Sequence, residues 1–131
     1  DAYDFMIDLA EKFSPGLSGK PPVILVICSD MHKAARKGGK NSEVYGCLMD
    51  ASMAAENLML KAVELGLGTC AIKSYNDSAI RKILNIPERY RIEMLMSIGY
   101  PLGEPRCPKR PPLEEICFFD HITESEKENH E

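Results

Sequence analysis

The chain reads as one domain, an α/β or α+β sandwich with a largely covered sheet. Three observations predict this. The segment from Val44 to Leu65 is a long helix, apolar on most of its circumference, whose clearly polar side chains are Asp50, Ser52, Glu56, Asn57, Lys61 and Glu64. Val23-Ile24-Leu25-Val26-Ile27-Cys28 is a continuous apolar run rich in β-branched residues, the composition of a strand buried on both faces. Arg91–Tyr100 alternates, with Ile92, Met94, Met96 and Ile98 on one face and Leu95 on the other. Shorter segments between these complete the order α, β, α, β, α, β and then an arm, which suits a sheet covered by helices.

The first element is an amphipathic helix over Ala2–Phe13, because Phe5, Leu9 and Phe13 recur every fourth residue and share a face. Ser14-Pro15-Gly16 ends it, and Pro21-Pro22 opens the first strand. Ser29–Ser42 is polar, carries His32, Lys33, Arg36, Lys37 and Lys40 around Gly38-Gly39, and is expected to be a mobile surface loop with room for a helical turn. Its basic side chains have two readings, a phosphate or NAD(P)H contact and a solvated loop, and charge runs alone favour the second. Ser42 is placed to cap the long helix. That helix stops at Gly66 and Gly68, since glycine adopts the left-handed cap conformation without a Cβ penalty.

Thr69–Ile72 then forms a short interior strand, and Asn76-Asp77 starts a helix over Ser78–Leu84 that Ile86-Pro87 breaks. After the strand at Arg91–Tyr100, the prolines of Pro101–Pro112 forbid regular structure. Leu113–Phe119 is expected to be extended. Residues 1–123 are therefore read as the folded domain and the charged segment 124–131 as a disordered tail.

A helix apolar nearly all round must be covered on more than one side. In a chain of 131 residues that predicts a second subunit, with Ala55 an expected buried position and an interface above ~2,000 Å². The balance of 16 basic and 20 acidic side chains leaves no basic stripe for nucleic acid. No apolar run is long enough to span a bilayer, and no signal peptide is visible. Cys28, Cys47, Cys70, Cys107 and Cys117 form no C-x-x-C pair. Their odd number argues against a disulfide framework and for a reducing cytoplasm.

No hydrolytic or metal constellation stands out. His32, His121 and His130 lack the i, i+4 spacing of a helical zinc site. Asp50 and Glu56 on the long helix read better as capping or interface groups than as acid/base groups. Cys70, with no basic neighbour in sequence, reads as packing rather than as a nucleophile. No side chain is assigned a catalytic role.

Three blocks in order carry a resemblance: A-A-E-N-L-M-L-K-A-V-E-L-G-L-G-T-C, then I-R-K-I-L-N-I-P-E-R-Y, then S-I-G-Y-P-L-G-E-P-R-C-P-K-R-P-P-L-E-E-I. Together they resemble the nitroreductase family of FMN-dependent oxidoreductases, over Pro22–Phe118. The resemblance implies a central sheet between helices, a homodimer built on the long helix, and a C-terminal arm, here Glu115–Phe119, that crosses to the partner's sheet. It implies FMN as cofactor and NAD(P)H as co-substrate. The reaction would be ping-pong: hydride passes to flavin N5, then to a small-molecule acceptor such as a nitroaromatic or a quinone.

In such a site the cofactor carries the redox chemistry and the protein supplies position and electrostatics. The family places a main-chain donor to N5 just after the strand that follows the long helix, which is Lys73-Ser74 here. Glutamate or glycine is common there in the family, so both residues depart from it, but any residue except proline keeps the N–H. The family's phosphate cations follow the last core strand, which points to Lys109 and Arg110, with Arg106 a third candidate.

The family opens with a segment of the form Arg-x-Ser-x-Arg that also grips the phosphate, and nothing here matches it. Asp1 as first residue fits a chain cut from a longer protein. Some members carry ferredoxin-like iron–sulfur modules ahead of the flavin domain, so an iron–sulfur module in a longer parent chain is among the implied partners. The competing reading is a non-catalytic nucleotide-binding or structural dimer module with an incomplete flavin site.

Overall fold

The computed structural model describes residues 21–104 and 107–122, together with Asp4. The helix expected over 2–13 (Asp4 excepted) and the tail expected over 124–131 lie outside the described residues. In chain order the elements are β1 (Val23–Asp30), α1 (Met31–Asn41), a π-helical turn (Ser42–Gly46), α2 (Cys47–Glu64), β2 (Gly68–Ile72), α3 (Asp77–Leu84), β3 (Tyr90–Gly99) and a single turn α4 (Leu113–Ile116). The strands form an antiparallel sheet in the order β1-β3-β2.

β3 is the central strand and holds much of the core: Ile92, Leu95 and Met96 are buried. β1 is the partner of β3 on one side and is only half-buried, not covered on both faces as its apolar run predicts. Continuous apolar runs suit parallel strands between two helical layers; this one is antiparallel and lies at one side of the described sheet.

The alternation predicted for β3 breaks at one residue. Ile27 pairs with Met94 and Cys28 with Ile92, so Glu93 is the extra residue of a β-bulge. The inserted residue shifts the pleat. Ile92 consequently leaves the face of Met94 and joins Leu95, Ile72 and Ile80 in one cluster, with Ile24, Val26, Tyr75 and Ile86 packed against it.

The segment Ser29–Ser42, expected to be a loop, is mostly helix. The Asp30 side chain accepts the Lys33 N–H at 3.0 Å, which is an N-cap. His32–Lys37 then follows with residues of good helix propensity. The two glycines leave helical geometry, Gly39 at φ 64°. Ser42 does not cap α2. It lies on a continuous helical path through the π turn, with no side-chain cap bond at the start of α2.

Helix α2 is buried along one stripe, Cys47, Ala51, Ala55 and Ala62, whose small side chains let it lie close to the sheet. The rest of its circumference exposes Leu48, Met49, Met53, Leu60 and Val63, with Val63 70% exposed. Ala55 is thus turned to the chain's own sheet. The helix ends as predicted at Gly66, φ 73°, where the Leu67 N–H returns to the Ala62 carbonyl at 2.8 Å in the manner of a Schellman cap. Gly68 is the first residue of β2, and Cys70 in that strand is exposed rather than packed.

Helix α3 is capped by the Asn76 side chain on the Ala79 N–H at 3.1 Å. It ends at Asn85 in left-handed geometry, φ 52°, before Pro87 is reached. The segment expected to be extended from Leu113 instead opens with a helical turn: the Cys117 N–H bonds the Leu113 carbonyl at 2.8 Å. Pro112 sets the extended residue before it, and Glu114 and Glu115 suit the positive end of a helical turn.

Candidate functional site

β2 ends at Ile72 opposite Leu95, while β3 continues back to Tyr90. Beyond that point no strand among the described residues lies beside β3 on the β2 side, and a strand edge presents main-chain groups that need partners. Two side chains from the turn after β2 meet them. Lys73 Nζ donates to the Glu93 carbonyl at 2.6 Å, and Tyr75 Oη donates to the Ile92 carbonyl at 2.9 Å. The Lys73 ammonium also stands 5.7 Å from the centre of the Tyr75 ring.

Burial pushes the Tyr75 phenol up, and the carboxylates of Asp77 and Glu93 push the same way against Arg81. The hydroxyl therefore stays protonated and able to donate at neutral pH. Ser74 lies between the two anchored residues. It is exposed, and its N–H takes no partner among the described residues.

The Glu93 carboxylate is buried at 2% exposure and accepts from Arg91 Nε at 2.9 Å. Arg91 Nη2 also donates to the Val44 carbonyl in the π turn at 3.4 Å. Two side-chain links thus leave the bulge, one to the turn after β2 and one to the entry of α2.

Lys109 and Arg110 lie in the irregular stretch before α4, both exposed, and neither has an ion-pair partner among the described residues. No described hydrogen bond or ion pair joins them to Lys73 or Ser74. Arg106 lies outside the described residues.

A cleft of about 470 Å³ opens between the end of β1, α1 and α2, and Lys33, Lys37, Asp30, Asp50 and buried Cys47 are among its lining. It shares no residue with the turn after β2. Two lysines and two carboxylates line it, so its formal charge is balanced. Burial of one side pushes the Cys28 thiol up, with Arg81 opposing, which disfavours thiolate chemistry there.

Tyr75, Arg91 and Glu93 were not singled out by their sequence context. The one available signal was Glu93, a carboxylate in an otherwise apolar strand. Its burial with a partner follows from that position, but its place at a bulge requires the register.

The family model for the nitroreductase family matches residues 8–100. A Bacillus subtilis (strain 168) protein bearing the provisional name NAD(P)H nitroreductase YodC is 38% identical over 85 residues, 63% of this chain and 42% of that protein. The FMN reductase (NADPH) of the same organism is 26% identical over 125 residues, 78% of this chain and 50% of its own length. An FMN-dependent nitroreductase of Clostridium difficile R20291 superposes with a TM-score of 0.69 at 26% identity, covering 92% of this chain and 71% of that one. The chain spans 36%, 42% and 38% of the length of three curated relatives that it matches.

Proposed function

The chain belongs to the nitroreductase family, and from that membership we propose that it forms part of an FMN-dependent NAD(P)H oxidoreductase. The acceptor would be a nitroaromatic, a quinone or a similar electrophile. The observation that carries this reading is the turn after β2, where an exposed main-chain donor with no described partner sits between two anchored residues. The family presents a donor to the flavin ring at that place. Lys109 and Arg110, exposed and without ion pairs among the described residues, suit the phosphate. When bound, FMN supplies the redox chemistry; the chain's own residues bind and orient it.

The reading includes a homodimer. Leu48, Met49, Met53, Leu60 and Val63 are exposed on one long helix, and so many large apolar side chains left to solvent on one element suit an interaction site. No helix among the described residues is long and apolar enough to cross a membrane. Five free cysteines suit a reducing compartment, and we place the protein in the cytoplasm.

The test is the visible spectrum of the purified protein, followed by titration of FMN against it with flavin fluorescence as readout. A flavin absorption band, or saturable quenching, is the expected result. A colourless protein that leaves FMN fluorescence unchanged overturns the flavin reading and leaves a non-catalytic dimer module in its place.

A further inference from the structure

We infer that Lys73 and Tyr75 are positioning residues that clamp the turn after β2 onto the β3 bulge and so preset the Ser74 N–H as a donor to the flavin ring; this rests on the flavin reading above. The bulge at Glu93 and the early end of β2 together create the anchor points. Where β2 stops, β3 still offers the carbonyls of Ile92 and Glu93. Tyr75 and Lys73 take one each, at 2.9 and 2.6 Å. The two donors flank Ser74 in sequence, and a residue fastened on both sides loses most of its freedom to turn its amide. Lys73 is exposed as a residue, but its ammonium gives one of its three donors to a main-chain oxygen. A donor held before the ligand arrives contributes more to binding than one that must be ordered on contact.

The Glu93–Arg91 pair backs the arrangement from the other side. The Glu93 carboxylate is buried, and its partner Arg91 also reaches the Val44 carbonyl in the π turn before α2. A shift of the bulge would disturb the Arg91 bond to Val44 as well as the bonds from Lys73 and Tyr75.

The experiment uses the full chain with Lys73→Met, Tyr75→Phe, both together, and Lys73→Arg. Backbone 15N relaxation is read first on flavin-free protein, because an exposed amide without an acceptor has no slow exchange to lose. The double variant is expected to lower the Ser74 N–H order parameter from the rigid range of about 0.85 to below about 0.6, with Ala71 and Leu95 in the β2–β3 ladder unchanged. A general structural role would loosen all three. Lys73→Arg, which keeps a donor, restores the order that Lys73→Met loses. Flavin titration is read second. FMN and riboflavin should weaken together, by about tenfold, because the contact is to the ring both share. Unchanged Ser74 order in the double variant overturns the clamp. Lower order with unchanged flavin affinity overturns its role toward the flavin. A wild-type chain that binds neither flavin overturns the flavin reading itself, and the relaxation data, taken without flavin, keep that failure separate from failure of the clamp.

Discussion

Arg91 Nε lies 2.9 Å from a carboxylate oxygen of Glu93, two residues along the same strand, and Glu93 is 2% exposed while the Arg91 side chain is 34% exposed. A buried carboxylate with one charged partner depends on that partner, because removing it strands a desolvated charge. Arg91→Met is therefore expected to destabilise the fold by about 3 kcal/mol, read as a lower urea midpoint. Arg91→Met combined with Glu93→Gln should recover part of that loss, since the stranded charge is gone. Equal destabilisation by the single and double variants would show that the pair contributes packing and not charge.

The exposed side of α2 makes the dimer testable without disturbing the sheet. Val63 stands on that side at 70% exposure. An aspartate there would place an unpaired charge in the interface, at about 3–5 kcal/mol, and should raise the dimer dissociation constant by at least two decades. Sedimentation should show a shift toward monomer. Ala55→Asp behaves differently: that side chain is 4% exposed and faces the sheet, so it should lower the melting temperature of whatever oligomer forms. A wild-type chain that sediments as a stable monomer at micromolar concentration would remove the dimer proposal.

Asp30 gives α1 an acid-sensitive start. The Lys33 N–H bonded to its carboxylate holds its pKa below the ordinary aspartate range, with Arg89, His32 and Arg36 adding to the effect. A depressed folded-state pKa means the contribution is complete above the unfolded value. It is lost as pH falls through the folded one. Asp30→Asn keeps a capping oxygen but cannot titrate. The melting temperature of the wild type should fall more steeply than that of Asp30→Asn below about pH 4, and parallel curves would deny the carboxylate this role.

Where the sequence was legible, one physical signal dominated. The long helix, its glycine stop and the places of the three strands along the chain follow from apolar patterning and from the left-handed geometry open to Gly66. The α1 segment was misread because its signals were balanced: Lys, Arg and Ala favour helix, while Gly38-Gly39 and the lack of any apolar stripe favour loop. Asp30 as cap settled the matter, but Asp30 lies beyond the apolar run that marks β1, so nothing local identified it as the junction. Ile92 was placed on the wrong face because a bulge is a property of two strands in register, and one strand's alternation cannot reveal it. The same holds for the turn after β2. Lys73 and Ser74 were singled out by resemblance, whereas the two carbonyls that hold Lys73 and Tyr75 come from β3, and only the pairing brings them there.

FMN carries a phosphate dianion, and the basic pair Lys109-Arg110, set among the prolines of residues 108, 111 and 112, is exposed and free of ion pairs among the described residues. Prolines narrow the conformations open to the intervening residues, so less ordering is left for the ligand to impose. Arginine grips phosphate oxygens through two parallel N–H donors, which an ammonium cannot do, so Arg110 is expected to contribute more than Lys109. Arg110→Ala should weaken FMN binding by about 1.5–3 kcal/mol, or about one to two decades. Lys109→Ala should weaken it by less. Riboflavin, which lacks the phosphate, should bind Arg110→Ala and the wild type equally. This is the opposite pattern from the Lys73 and Tyr75 variants, where the two flavins should weaken together, so one set of fluorescence titrations separates a phosphate contact from a ring contact. If the wild type binds FMN no more tightly than riboflavin, the basic pair is not the phosphate site.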